Sequence, residues 1–592
     1  MSSSRRARRT PTLSTSSCSP WPSPPSRARC CSTPSSGRRG TSPLPNNPAA
    51  ASTSRRPRWG SRSSATSTSS PGSRTARSGA LAAAHGPVML LRLGRVPALV
   101  VSSPAAAREV MREQDHVFAT RPSLAVPRTL LYGCTDIAFA PHGPYWRAAR
   151  KAAVRHLLGP SSVRAYRAVR EQEVGALLRR VERERRRDGG GVVCLTELLS
   201  GFAKDVAGRV VLGAPAGGGD GGSGWRGKVD ALLDESNALL GAFFHAGDFL
   251  PWLSWLRAVD GTGARVATAF ARIDGILEEI LDDAARQLET GVHDDHAAFV
   301  HVLLSLQNES ESAVSAAAAA AEWRLSRDNV KALLEDLFGA GTEATIIVLE
   351  WAMAELLRDR GAMEKLQHEV RGVAGGGAGN GNDSLLVITE KDLPEMEYLR
   401  AVIKETMRLH TPGPLLIPRE CMEDTRVGCH DVPKGAMVIV NAWAIGRDPA
   451  AWEEAPEEFR PERFAGGGGS AAEVDFRGRH VQLIPFGAGR RMCPGVGLAM
   501  SVVELALANL VARFDWALPE GEGEKEIDME EAPGCTSRKR APLRAVATRS
   551  CPVPSQSKFN VAGGAPRTYM TCTNTCDAVS VSKCKLDKLN YS

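Results

Sequence analysis

The stretch Pro485-Phe486-Gly487-Ala488-Gly489-Arg490-Arg491-Met492-Cys493-Pro494-Gly495 sets one sulfur among glycines and guanidiniums. Glycine accepts positive φ and lets a backbone pass close to a flat ligand. Cys493 stands just before the apolar run from Val496 to Val511, with Pro494 suited to the first helical position. A sulfur there meets the unsatisfied amide N–H groups and the positive dipole end of a helix start, which stabilise a thiolate. A thiolate on a glycine-rich loop is what an axial iron ligand requires, and such ligation favours O–O cleavage. A structural cysteine beside a turn would not call for Phe486, Gly489, Arg491, Cys493 and Gly495 at these offsets together.

Other residues gain meaning only in company. Trp146 and Arg150 lie four apart on one helix face, and an indole N–H with a guanidinium suits a carboxylate. An amphipathic helix with a core tryptophan has the same spacing. Glu405 and Arg408, at i and i+3, are within pairing reach. Glu182/Arg185 and Glu184/Arg187 share that spacing and read as a solvated helix face. Ser326 is a plausible N-cap for a long helix carrying Phe338-Gly339-Ala340-Gly341-Thr342-Glu343-Ala344-Thr345.

Taken together and in this order, the motifs resemble those of cytochrome P450 monooxygenases of the plant microsomal type, from about Ala83 to Thr548. The resemblance implies haem b (iron protoporphyrin IX) with Cys493 as axial thiolate, and Phe486, Gly489, Arg491 and Gly495 in the haem-binding loop. It implies propionate partners in Trp146, Arg150, Arg419 and Arg491, and a buried structural triad of Glu405, Arg408 and the Arg463 of Pro461-Glu462-Arg463-Phe464. Ala340-Gly341 would leave room for O2 against the helix, with Glu343 as the family's acid. The family normally carries threonine at the next position, holding the proton chain for oxygen activation; here it is Ala344. Thr345 follows, rotated by about 100° on an α-helix, so its hydroxyl is expected to face elsewhere.

The activity so implied is insertion of one oxygen atom of O2 into an apolar, secondary-metabolite-like small molecule. Electrons would come from NADPH through a separate NADPH–cytochrome P450 reductase, with Arg490, Arg491 and Lys151 as candidate contacts for its acidic face. Residues 119–136, Ala238–Phe244, Gly339–Thr345, Leu415–Ile417 and Gly534–Thr536 would line the substrate pocket. Ala344 motivates one alternative, a reductase-independent isomerase or dehydratase on the same fold. An inactive haem-binding product is the other.

These motifs need elements to hold them. The implied fold is mainly α with a small β region, a single haem-centred domain of cytochrome P450 type. Its β-rich parts fall near 88–102 and 415–440, and helical periods run at about 144–157, 161–187, 226–246, 264–289, 327–358 and 360–373. With 43% apolar and 24% charged residues, the 592-residue chain is neither collagen-like, fully disordered nor multi-span. Its net charge of +8 is a property of one end: residues 1–80 hold 14 Arg and no acid, and the remainder nets −6. A nucleic-acid role drawn from the whole-chain charge is therefore not supported.

Residues 1–80 read as an Arg/Ser/Pro low-complexity segment, disordered or the product of an altered reading frame, 81–549 as the cytochrome P450 domain, and 550–592 as a polar disordered tail. Cys572, Cys576 and Cys584 match no zinc spacing and lack histidine. Membrane association at the cytosolic face of the endoplasmic reticulum is expected from the family. Residues 1–80 contain no apolar anchor, and their composition also fits an organelle transit peptide or a soluble protein.

Overall fold

Val88–Leu93 (β1) and Val96–Val101 (β2) form an antiparallel hairpin. It turns at Gly94, which lies at φ +59 with its α-carbon so close to the Phe249 carbonyl that a Cβ would stand 2.4 Å from that oxygen. Only glycine fits there. The computed structural model describes the chain between residues 82 and 550; outside the description within that span are 214–226, 228–235, 237–238, 241–244, 256–259, 291–297, 313–324, 377–387, 453–454, 522–526 and residues 83, 188, 467 and 533. The expected N-terminal segment, the polar tail and most of the 226–246 helix fall outside the described residues.

Val192–Cys194 is β3, Arg419–Glu420 β4, Thr425–Val427 β5, His430–Val432 β6, Met437–Val440 β7, Phe514–Ala517 β8 and Arg544–Arg549 β9. The larger sheet runs β1-β2-β7-β4, β7 being parallel to β2 with Ala98 opposite Met437. It places Arg419 at the start of its last strand. A second sheet, β3-β9-β8, closes the far end, and β5-β6 is a separate hairpin.

The helices that build the site are Pro144–Ala153 (α1), Arg167–Arg187 (α2), Leu195–Leu212 (α3), Thr262–Thr290 (α4), Arg327–Arg358 (α5), Arg360–Gly376 (α6), Glu397–Leu409 (α7) and Val496–Arg513 (α8). Helix α5 begins as expected: Ser326 Oγ accepts from the Asn329 amide at 3.2 Å, and the Asn329 side chain accepts from the Ser326 amide at 3.0 Å. Every residue from Thr345 to Leu357 is buried, so α5 is a central rod rather than a one-faced surface helix. Helices α3, α7 and α8 pack around it. Helix α8 is also long and apolar enough to cross a membrane, and it lies against the core.

Two expected helices are cut. A wider, π-type turn at Val154–Leu158 ends α1, and a break at Tyr166 separates Pro160–Ala165 from α2. Helix α3 is not among the helical periods read above because 13 of its 18 residues are buried, which leaves little amphipathic period to detect. The pair Glu182/Arg185 is not a freely solvated face: the two side chains bond twice at 2.8 Å and are mostly covered.

Candidate active site

The cysteine loop is built on two left-handed glycines. Gly487 sits at φ +68 and Gly489 at φ +69, whereas Gly495 has an ordinary φ of −85 and caps α8. Helix α8 starts at Val496, so Pro494 precedes the cap rather than occupying the first helical position. A Cβ on Gly489 would stand 2.1 Å from the Met111 carbonyl, so its close approach is to protein and not to the cavity. Asp115 locks the loop from outside, accepting the Arg490 amide at 3.0 Å and its guanidinium at 2.7 Å. The Cys493 amide donates to the Phe486 carbonyl at 2.9 Å, and the Arg150 guanidinium grips the Met492 carbonyl at 2.6 Å.

One N–H, that of Gly495 at 3.4 Å, reaches the Cys493 sulfur. Burial pushes the thiol pKa up, opposed by that N–H and by Arg150. Cys493 is exposed where it lines the cavity, and a bound metal's own charge would favour the thiolate.

Cys493 lines a cavity of about 970 Å3. At one end lie three buried guanidiniums, Arg121, Arg419 and Arg491, all satisfied by neutral carbonyls. Arg121 donates to Ala138, Ile417 and Pro418 at 2.8, 2.5 and 2.9 Å; Arg419 donates to Ala488 at 2.8 Å; Arg491 donates to Ala119 and Ile137 at 2.6 and 3.2 Å and to Ala140. None has a carboxylate within ion-pair distance among the described residues. Burial, then repulsion from its neighbours, pulls the Arg121 pKa well down. Burial brings Arg419 to about 10, and burial with repulsion from Arg419 brings Arg491 to about 9. Carbonyls satisfy the N–H groups but not the charge. A flat macrocycle bearing two carboxylates would supply that charge, and the donor set fits one.

Arg121 was not singled out in the sequence; its one signal is an arginine within the otherwise largely apolar 119–136 segment. Trp146 does not reach the cavity wall. Its indole N–H donates to the Ile137 carbonyl at 3.0 Å, and its ring lies beneath Arg491, 4.2 Å from the guanidinium carbon, and 5.6 Å from that of Arg150. It props cations that face the cavity. Arg491 is buried and so presents nothing to an external partner; Arg490 and Lys151 are on the surface.

Helix α5 lines the cavity over residues 335–337, 339–341 and 343–345 and at Val348. Thr345 lines the cavity, as does every residue of Gly339–Thr345 except Thr342. The helix stays α throughout, and the cavity spans enough of its circumference to include three consecutive residues in each of three successive turns. The Thr345 hydroxyl donates to the Gly341 carbonyl at 2.8 Å. Glu343 pairs with Arg538 through both oxygens and accepts from the Thr536 hydroxyl at 3.0 Å. Leu416, Ile417 and Gly534 to Thr536 line the cavity as expected, joined by residues of α3.

Residues 75–542 match the family profile described as Cytochrome P450. The chain belongs to the cytochrome P450 family. It is 42% identical to "Cytochrome P450 736A117" of Prunus mume over 468 residues, 79% of this chain and 85% of that one. It is 41% identical to (+)-menthofuran synthase of Mentha piperita (78% and 87% covered) and 42% identical to trimethyltridecatetraene synthase of Zea mays (80% and 84%). A zebra fish cytochrome P450 solved with progesterone superposes with a TM-score of 0.64 at 26% identity, covering 80% of this chain and 99% of that one. The mainly helical architecture with small sheets is thus the cytochrome P450 fold. The enzyme is a haem-binding monooxygenase whose plant relatives belong to secondary metabolism.

In this cytochrome P450, Glu405, Arg408 and Arg463 meet in the protein interior, outside the cavity lining. Arg408 bonds Glu405 at 2.6 and 2.8 Å, and Arg463 approaches the same carboxylate at 3.3 Å; all three are buried. The Arg460 amide adds a bond to Glu405 at 2.8 Å.

Proposed function

We propose that this enzyme inserts one oxygen atom of O2 into a C–H bond of an apolar small molecule. The second oxygen atom leaves as water, at the expense of NADPH and a proton through a separate flavoprotein reductase. We further propose that it works at the cytosolic face of the endoplasmic reticulum. Haem, when bound, supplies the oxygen chemistry. The chain's own residues do the rest. Cys493 would hold the iron through its sulfur, and Arg121, Arg419 and Arg491 would hold the propionates, with Trp146 and Arg150 bracing them. The largely apolar walls exclude water and orient the substrate.

Glu343 is the proton-handling group. Its carboxylate reaches the cavity wall and is held by Arg538, which lines the same cavity. The observation that carries the reading is the meeting, at one cavity, of one cysteine and three guanidiniums that have no ion-paired carboxylate among the described residues. The test is the ferrous–CO difference spectrum of the purified protein. A thiolate-type band is expected, and Cys493→Ser should abolish it while the far-ultraviolet circular dichroism stays helical. Absence of the band from haemin-loaded wild type, or its survival in Cys493→Ser, would overturn the assignment.

A further inference from the structure

Arg538 carries no motif of its own, yet it grips the buried carboxyl of Glu343. Its Nε donates to Glu343 Oε1 at 2.5 Å and a terminal guanidinium nitrogen donates to Oε2, while the Thr536 hydroxyl donates to Oε1 at 3.0 Å. A carboxylate met by a planar fork resists turning about its last bond, so both oxygens are set in place. The base of the fork is firm as well. The Arg538 carbonyl accepts the Ala532 amide at 2.7 Å, and beside it Ser537 is tied three ways. Its amide donates to the Pro412 carbonyl at 3.1 Å, its hydroxyl donates to the Thr411 carbonyl at 2.7 Å, and its carbonyl accepts the Trp351 indole N–H at 2.5 Å. Gly534, Cys535, Thr536 and Arg538 all line the chamber. One anchored segment, residues 534–538, therefore offers its surface to a substrate and braces a carboxyl of α5.

We propose that Arg538 is a positioning residue for the oxygenation reaction, fixing the Glu343 carboxyl from the segment that the substrate touches. This rests on Glu343 being the proton-handling group, through which alone Arg538 acts. Ala344 gives the helix no hydroxyl beside that acid, so its placement depends the more on a neighbouring segment. A pair that only neutralised a buried charge would matter to stability and not to the fate of oxygen.

The experiment uses full-length haem-loaded protein with NADPH and a flavoprotein reductase, and no added substrate. Oxygen then has two fates. O2, one NADPH and one proton give hydrogen peroxide and NADP+; O2, two NADPH and two protons give two waters and two NADP+. Proton supply favours water, so the peroxide-to-water ratio reads it. Arg538→Met should raise that ratio by about threefold, and Glu343→Gln by at least as much. Adding Arg538→Met to Glu343→Gln should change the ratio by less than about 1.5-fold, because the carboxyl through which Arg538 acts is already gone. Arg538→Lys, which keeps the charge but not the fork, should fall between wild type and Arg538→Met. An unchanged ratio in Arg538→Met overturns the proposal, as do effects that multiply in the double variant or a lysine no better than methionine. Loss of the thiolate-type CO band in Arg538→Met overturns it in favour of a role in the fold. If Glu343→Gln itself leaves the ratio unchanged, the proton-handling role of Glu343 falls; if it moves the ratio and Arg538→Met does not, only the role of Arg538 falls.

Discussion

Two clusters of buried arginines teach opposite lessons. In Glu405–Arg408–Arg463 the carboxylate stands between two guanidiniums. The remaining Arg408 donors end on the carbonyls of Gly446, Pro456 and Glu458, and Arg463 reaches that of Ala455. Both hydrogen bonding and most of the charge are closed within the chain. Arg121, Arg419 and Arg491 are also buried and supplied with carbonyls, but they hold three positive charges together with no ion-paired carboxylate among the described residues. A network complete in itself belongs to the fold; one complete in hydrogen bonds but not in charge belongs to a ligand. Ala344 stands nearer the second class, for there a hydroxyl that the family normally carries is missing and its part falls to a group from outside the chain.

The sharpest break in this contrast comes from removing the shared carboxylate. Glu405→Gln leaves Arg408 and Arg463 buried against each other, and loss of one partner of such a pair destabilises by about 3–5 kcal/mol. Urea unfolding should show this in haem-free and haem-loaded protein alike. Arg419→Gln should behave differently. Haem-free protein should be no less stable than wild type, because repulsion with Arg121 and Arg491 is relieved. Transfer of haem to excess apomyoglobin should run about tenfold faster, reflecting one lost charge-assisted bond. If Arg419→Gln unfolded the haem-free protein as Glu405→Gln does, the distinction between the clusters would fall.

What could be read from the chain alone follows from sequence distance. The cysteine loop is contiguous, and Glu405 with Arg408 is a single helical turn, so their chemistry is visible in local order. Arg121 owes its meaning to Arg419 and Arg491, some 300 and 370 residues away, and no local pattern announces it. Spacing put Trp146 on the same face as Arg150, but not the competition for its N–H that the Ile137 carbonyl wins. The three glycines of the loop looked alike, and only backbone angles separate the two that need positive φ from Gly495. Helices α3 and α8 are buried nearly all round, so amphipathic period, the usual signal, is weakest where the core is deepest. A rotation of about 100° from Ala344 does not take Thr345 out of so broad a cavity, and its hydroxyl turns back to the Gly341 carbonyl.

The smallest effect, and the one that moves a residue between the two classes, is expected from Ala344→Thr. Hydroxyls near Ala344 are engaged: Thr345 donates to Gly341, and Thr342 donates to Phe338 and Gly339. Glu343 is held by Arg538 and Thr536. The last proton carrier must then be a water or the substrate's own oxygen function. A threonine at 344 faces the cavity and would bring that carrier into the chain, so peroxide released per NADPH consumed should fall by about twofold as proton delivery improves. Thr345→Val, which removes a hydroxyl already bonded to a carbonyl, should change that ratio little. Were Ala344→Thr also silent, the proton would already be arriving in full from outside the chain, and position 344 would mark adaptation to a substrate that supplies it.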